Sequence, residues 1–283
     1  MNGLMGLGTA LITPFKADGS VDYEALARLL DTQLTGAVDY IVVLGTTGEA
    51  ATMTADEKRD VRTFIRQYVN GRLPLVLGVG GNNTAAVCES LRTIDLTGFE
   101  AILSVCPYYN KPNQEGLYQH FCAVAKASPI PVILYNVPGR TGVNLLPETV
   151  MRIYEAQPEK IAGIKEASGN IEQIKHLIDL AKDKLLVISG DDGIACEVME
   201  AGGAGLISVA SNAFPEDFYD IVHKKDQAKQ AQYDQMVKLL FKEGNPVGIK
   251  AVLAQKGLIQ NNLRLPLVPA SEELQEEIKK ELA

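Results

Sequence analysis

Cysteine is scarce in this 283-residue sequence, basic residues never cluster, and no apolar run reaches the length of a membrane helix. The four cysteines, Cys88, Cys106, Cys122 and Cys196, lie far apart, with no pair at metal or redox spacing. That excludes a disulfide framework or zinc knuckle and leads us to expect a reduced, cytoplasmic protein. An apolar patch near the N-terminus has no basic segment before it, so no secretory leader is expected. A spanning helix needs roughly 18 consecutive apolar residues, and none is present. Net charge is −8 and the pI is near 5.1, with cations scattered singly, which argues against nucleic acid as a partner. No low-complexity linker interrupts the chain.

The composition, 46% hydrophobic and 22% charged, suffices for one large core or two modest ones. Apolar runs with strand character fall near 7–13, 40–44, 75–79, 101–105, 131–135, 161–165, 185–189 and 205–209. Helical periodicity falls near 22–35, 54–69, 84–96, 114–127, 147–156, 170–182 and 191–201, with Thr54, Thr84 and Asn170 as N-cap candidates. Strand runs alternating with helices predict an α/β fold, a (β/α)8 TIM barrel. The runs are almost continuously apolar, as parallel strands covered on both faces should be. A doubly wound open sheet is the rival, but no Gly-x-Gly-x-x-Gly follows the first strand. Past residue 224 the strand pattern stops, and 225–242, 247–256 and 271–282 read as helices. The expected division is a catalytic barrel over 1–224 and a C-terminal helical region over 225–283.

Lys165 ends the apolar run Ile161-Ala162-Gly163-Ile164-Lys165-Glu166. Burial there disfavours the ammonium and favours the free amine that attacks a carbonyl carbon, the first step of Schiff-base chemistry. The other lysines stand in Glu/Lys-rich helical stretches and are expected at the surface.

In a barrel the active site gathers at the C-terminal ends of the strands. After the second strand comes Gly45-Thr46-Thr47-Gly48-Glu49, either a plain turn or a loop whose backbone approaches an anion while its hydroxyls relay protons. After the fourth comes Cys106-Pro107-Tyr108-Tyr109-Asn110, read as aromatic packing or as site. After the fifth, Tyr135 directs a phenol to the barrel mouth and Arg140 offers a carboxylate fork. After the seventh, Gly190-Asp191-Asp192-Gly193 either meets a ligand or caps the next helix.

These segments, with Gly163 to Gly169, Asn245-Pro246 and Leu263-Arg264-Leu265-Pro266, resemble the dihydrodipicolinate synthase family of the N-acetylneuraminate lyase superfamily of class I aldolases. The resemblance covers nearly the whole chain. The double threonine and Arg140 are similar to the synthases; sister aldolases acting on N-acetylneuraminate or 2-keto-3-deoxy sugar acids usually depart at one or both places and form the alternative reading.

The resemblance implies that Lys165 forms an imine with pyruvate, whose enamine attacks L-aspartate-4-semialdehyde in the first committed step of the diaminopimelate route to L-lysine. It makes Tyr135, Thr47 and Tyr109 a proton relay, Tyr109 reaching in from a neighbouring subunit. Thr46 and Thr47 would hold the pyruvate carboxylate, Arg140 the semialdehyde carboxylate, and Gly190 and Ile207 would line the pocket. It implies no metal or organic cofactor, no membrane partner, and a homotetramer built as a dimer of dimers. In lysine-inhibited members an effector cleft carries a serine, histidines and an acid where this sequence has Ala50, Ala55, Lys58 and Ala86. Weak or absent inhibition by L-lysine is therefore expected.

Overall fold

A computed structural model describes residues 2–283. Its strands are β1 (Gly6–Ala10), β2 (Tyr40–Val43), β3 (Leu75–Gly78), β4 (Ala101–Val105), β5 (Val132–Asn136), β6 (Ile161–Glu166), β7 (Leu186–Ser189) and β8 (Gly205–Ser208). Each pairs in parallel with the next, and β8 pairs with β1, closing a barrel. Tyr40, Val42, Leu103, Ile133, Tyr135 and Ile207 fill its interior. The alternate residues Ile41, Val43, Leu77, Ile102, Leu134 and Leu206 pack outward among the helices. With both faces dry, the strands show no polar alternation, which is why they read as continuous apolar runs.

The helices are α1 (Tyr23–Thr35), α2 (Ala55–Val69), α3 (Thr84–Thr93), α4 (Gln114–Ala127), α5 (Pro138–Thr141), α6 (Pro147–Ala156), α7 (Ile171–Ala181), α8 (Ala195–Glu200), α9 (Pro215–Lys224), α10 (Gln227–Lys242), α11 (Val247–Gln255) and α12 (Glu272–Glu281). The expected caps hold at two positions. Thr54 forms a capping box with Glu57, and Asn170 accepts from the amide of Gln173. Thr84 is not a cap: Asn83 fills that role, and the Thr84 hydroxyl bonds His120 Nδ1 at 2.8 Å instead.

Other expectations need correction. β1 stops at Ala10: Leu11 still donates to the Val42 carbonyl of β2 at 3.1 Å, but the Ile12 amide turns to the Asn212 side chain, also at 3.1 Å. The single helix expected over 191–201 is split, since Asp191 accepts from Gly193 and tightens Asp192–Ile194 into a 3-10 turn before α8. Helix α9 was not anticipated, although Pro215 at its first turn, Glu216 and Asp217 beside it and His223 and Lys224 at its end are ordinary helix signals. Helices α10, α11 and α12 pack on one another through Leu240, Val252, Leu253, Leu274 and Ile278. In doing so they bring α11 against the loop that follows β2.

Candidate active site

Lys165 stands one residue from the end of β6, in register with Tyr135 on β5 and Ile188 on β7. All three therefore point into the barrel. Lys165 and Tyr135 are both buried, and Nζ lies 4.6 Å from the centre of the phenol ring. Gly190 makes room for the lysine: a Cβ there would sit 2.8 Å from Lys165 Cε and 2.6 Å from Ala167 Cβ. Ile207 belongs to the same buried interior as Tyr135.

Thr46 and Thr47 open a 3-10 turn, Thr46–Gly48, directly after β2. The leading N–H groups of such a turn lack internal partners, which suits an anion. Glu49 ends the turn in the left-handed region, at φ 52°. Its side chain accepts from the Arg264 amide at 3.2 Å and is ion-paired with Lys250, whose Nζ also donates to the Asn262 carbonyl at 3.0 Å. Thr13 Oγ1 donates to the Gly48 carbonyl at 2.8 Å. From the other side Asn245 Nδ2 donates to Thr47 Oγ1 at 2.9 Å, while the Asn245 carbonyl accepts from Arg140 Nη2 at 3.2 Å. The loop is thus clamped by the C-terminal helices.

A cavity of about 460 Å³ opens at this end of the barrel, within the range of small-molecule sites. Thr46, Tyr135, Arg140 and Thr141 line it, as does Tyr108. Lys165, Thr47, Gly190 and Ile207 are set back from its lining, Lys165 Nζ lying against the Tyr135 ring that forms part of the wall. Tyr109 is set apart. It is 89% exposed with φ at 75°, and among the described residues its side chain makes no hydrogen bond.

Two buried carboxylates brace the strand ends. Glu166 faces away from Lys165, accepting from Asn136 Nδ2 at 2.9 Å and the Ser168 amide at 2.8 Å; burial raises its pKa and these bonds oppose the rise. Asp192 accepts from Ser208 Oγ at 2.5 Å and from the Val209 amide at 3.0 Å, and burial pushes it up to about 6. In the 190–193 segment Asp191 caps the 3-10 turn that precedes α8, and Gly190 adjoins Lys165. Among the described residues no group of three metal-ligating side chains gathers, and no helix is long and apolar enough to cross a membrane.

Sequence reasoning missed Asn245 and Lys250. Lys250 is not a surface lysine: it is fully buried, its Nζ 4.3 Å from the Phe15 ring centre. Its signal was present, for Val247-Gly248-Ile249-Lys250-Ala251-Val252-Leu253 is as apolar a setting as that of Lys165. Asn245 was noted only as part of a motif.

A model of the dihydrodipicolinate synthetase family matches residues 3–283. A 4-hydroxy-tetrahydrodipicolinate synthase of Flavobacterium psychrophilum is 51% identical over 281 residues, covering 97% of this chain and 96% of the relative. One of Parabacteroides distasonis is 50% identical over 273 residues, covering 94% and 92%. The crystal structure of a dihydrodipicolinate synthase from Thermotoga maritima superposes with a TM-score of 0.94 at 39% identity, covering 98% of this chain and 97% of the other. The match spans barrel, strand-end loops and C-terminal helices together, and the chain belongs to the dihydrodipicolinate synthetase family.

Proposed function

We propose that the protein is a lyase that condenses pyruvate with L-aspartate-4-semialdehyde to 4-hydroxy-tetrahydrodipicolinate, the first committed step of the diaminopimelate route to L-lysine. The single observation that carries this reading is the buried pairing of Lys165 with Tyr135 on adjacent strands, beside a glycine that leaves the lysine its space. Lys165 Nζ attacks the pyruvate keto carbon and water leaves, giving an imine. Loss of a methyl proton gives the enamine, whose carbon attacks the aldehyde. The product amine then closes the ring and displaces the lysine. Tyr135 passes protons to and from these atoms, and Thr47, held by Asn245, continues the relay. Thr46 and Thr47 hold the pyruvate carboxylate, Arg140 the carboxylate of the semialdehyde, and Gly190 and Ile207 shape the floor.

Tyr109 completes the relay of a second copy, which its exposure supports, so the working form is a homo-oligomer, a tetramer of two dimers. The enzyme acts in the cytoplasm, with 1–224 as catalytic barrel and 225–283 as the helical region that clamps the substrate loop. A coupled assay with excess dihydrodipicolinate reductase, following NADPH loss, tests the reading. Activity absent in Lys165→Ala, and a borohydride-trapped pyruvate adduct on Lys165 of the parent protein, are expected. A trapped adduct without turnover of the semialdehyde would overturn the substrate assignment.

A further inference from the structure

Behind the inward pair of Tyr135 and Lys165 stands a second pair in the next step of the register, Asn136 of β5 and Glu166 of β6. Both are buried, on the outer face of the barrel. Asn136 Nδ2 donates to Glu166 Oε2 at 2.9 Å and to Asn144 Oδ1 at 2.8 Å, while Asn136 Oδ1 accepts from the Leu145 amide at 2.9 Å. The segment that leaves β5 at Asn136 is thus tied back to the side chain from which it starts. Arg140 lies in the loop closed in this way.

Asn144 is the junction of the closure. Its Oδ1 also accepts from Gln173 Nε2 at 3.1 Å, its Nδ2 donates to Gln173 Oε1 at 2.7 Å, and Gln173 Nε2 reaches Glu166 Oε2 at 3.2 Å. The Asn144 carbonyl accepts from Gln114 Nε2 at 2.7 Å, and Gln114 Oε1 accepts from the Leu146 amide at 3.2 Å. Gln114 opens α4, just after the loop of Tyr108 and Tyr109. The groups donating to Glu166 are neutral amides, from Asn136, Gln173 and Ser168, so a buried carboxylate depends on this network being complete.

Arg140 needs such a brace. Its guanidinium donates to the Asn245 carbonyl through Nη2, which leaves most of the fork free for a ligand, and its place in the cavity wall is therefore set by its backbone. That backbone is α5, a single turn ended by Gly142 at φ 74°. A turn so short has no stability of its own and keeps its place only when both ends are held. β5 holds the first end, and Asn144 holds the second.

We propose that Asn144 is a positioning residue that sets the Arg140 loop, and through it the selection of an aldehyde that carries its own carboxylate. Asn144 does not line the cavity and acts only through Arg140. The proposal rests on the functional reading above in giving Arg140 that carboxylate. A forked pair of hydrogen bonds tolerates little displacement, so a loop that drifts loses the aldehyde while Lys165, on its strand, still meets pyruvate.

The test is steady-state kinetics of Asn144→Ala, Arg140→Ala and the double variant in the coupled assay, with each substrate varied. In Asn144→Ala, kcat/KM for the semialdehyde should fall about tenfold, while the KM for pyruvate and the rate of borohydride trapping stay at the parent values. In the Arg140→Ala background the same substitution should change nothing further. Additive losses, or an equal rise in the KM of both substrates, would overturn the proposal. Gln114→Ala leaves every bond of Glu166 in place and covers the case of an Asn144 variant that does not fold; it should show the same split between substrates on a smaller scale, and no split there counts equally against the proposal. Amide exchange read by mass spectrometry follows the loop without substrate: peptides spanning 138–145 should exchange faster in either variant than in the parent, and unchanged exchange would also overturn it. If the parent protein does not consume the semialdehyde, the functional reading fails instead, and the exchange experiment still decides whether Asn144 holds the loop.

Discussion

Asn245 donates to the hydroxyl oxygen of Thr47 at 2.9 Å, across 198 positions of sequence. With that oxygen accepting, the Thr47 proton is turned away from Asn245, as the relay proposed above requires. Asn245→Ala removes the donor but keeps the backbone carbonyl that receives Arg140. The expected result is a kcat lowered about tenfold, the value of one hydrogen bond of ordinary strength. The KM for the semialdehyde should move far less. Steady-state kinetics with each substrate varied would show it, and an unchanged kcat would remove Asn245 from the mechanism.

Gly190 leaves Lys165 its space. In Gly190→Ala the new methyl meets Lys165 Cε, Ala167 Cβ and the Glu166 carbonyl, the last at 3.2 Å. Overpacking of this kind costs about 1–3 kcal/mol, part of it taken by a displaced lysine. Mass spectrometry of the borohydride-treated protein should show slower pyruvate trapping in a chain that still melts cooperatively.

The Lys250–Glu49 pair is fully buried, so removing one member leaves the other without its counter-ion. Lys250→Met should lower stability by about 3–5 kcal/mol in urea unfolding. The double variant Lys250→Met/Glu49→Gln should recover a large part of it, because no orphan charge remains. Additive losses would show that the two residues act separately.

His120 gives the protein an acid-side weakness. An unfolded histidine takes its proton near pH 6.5, as a rule. His120, bound to Thr84 through Nδ1 and with Nε2 buried and unpartnered, is pushed down to about 4 by burial. Between those values the unfolded chain holds the extra proton, so acidification favours unfolding. The stabilisation is fully present above pH 6.5 and is lost as the pH falls towards 4. Linkage puts its share between pH 7 and 5 at about 2 kcal/mol. Unfolding free energies at the two pH values should differ by that much less in His120→Gln than in the parent.

L-Lysine should inhibit weakly or not at all. The cavity that holds Ala50, Lys58 and Tyr108 presents three cations and no carboxylate, so a second ammonium group finds repulsion there. A titration in the coupled assay giving strong inhibition at low lysine concentration would contradict this.

Barrel and strand ends were legible because hydrophobic periodicity and strand-helix alternation are local properties, and strand limits moved mostly by a residue. The same locality explains the failures. Lys165 and Lys250 carry one local signal, a lysine inside an apolar run; the sequence marked the first through its strand-end motif and passed over the second, because the pairing of Lys250 with Glu49 has no local trace. Only the fold separates them, by setting one at a strand end inside the barrel and the other on α11 against a carboxylate. Asn245 was marked only as part of a motif and without a role, since its contacts are with two distant loops. Tyr109 is the opposite case: the role proposed for it lies in another copy of the chain, beyond the contacts of one.

The clamp on the Thr46–Thr47 loop also fixes an order of events during synthesis. Asn245 and Lys250 leave the ribosome after every strand of the barrel has been made. A chain that has grown past Lys165 and Tyr135 but not to α11 leaves Glu49 without its counter-ion and Thr47 without its donor. A chain that stops short of α11 therefore lacks both contacts, and the site proposed above is complete only once the C-terminal helices are in place.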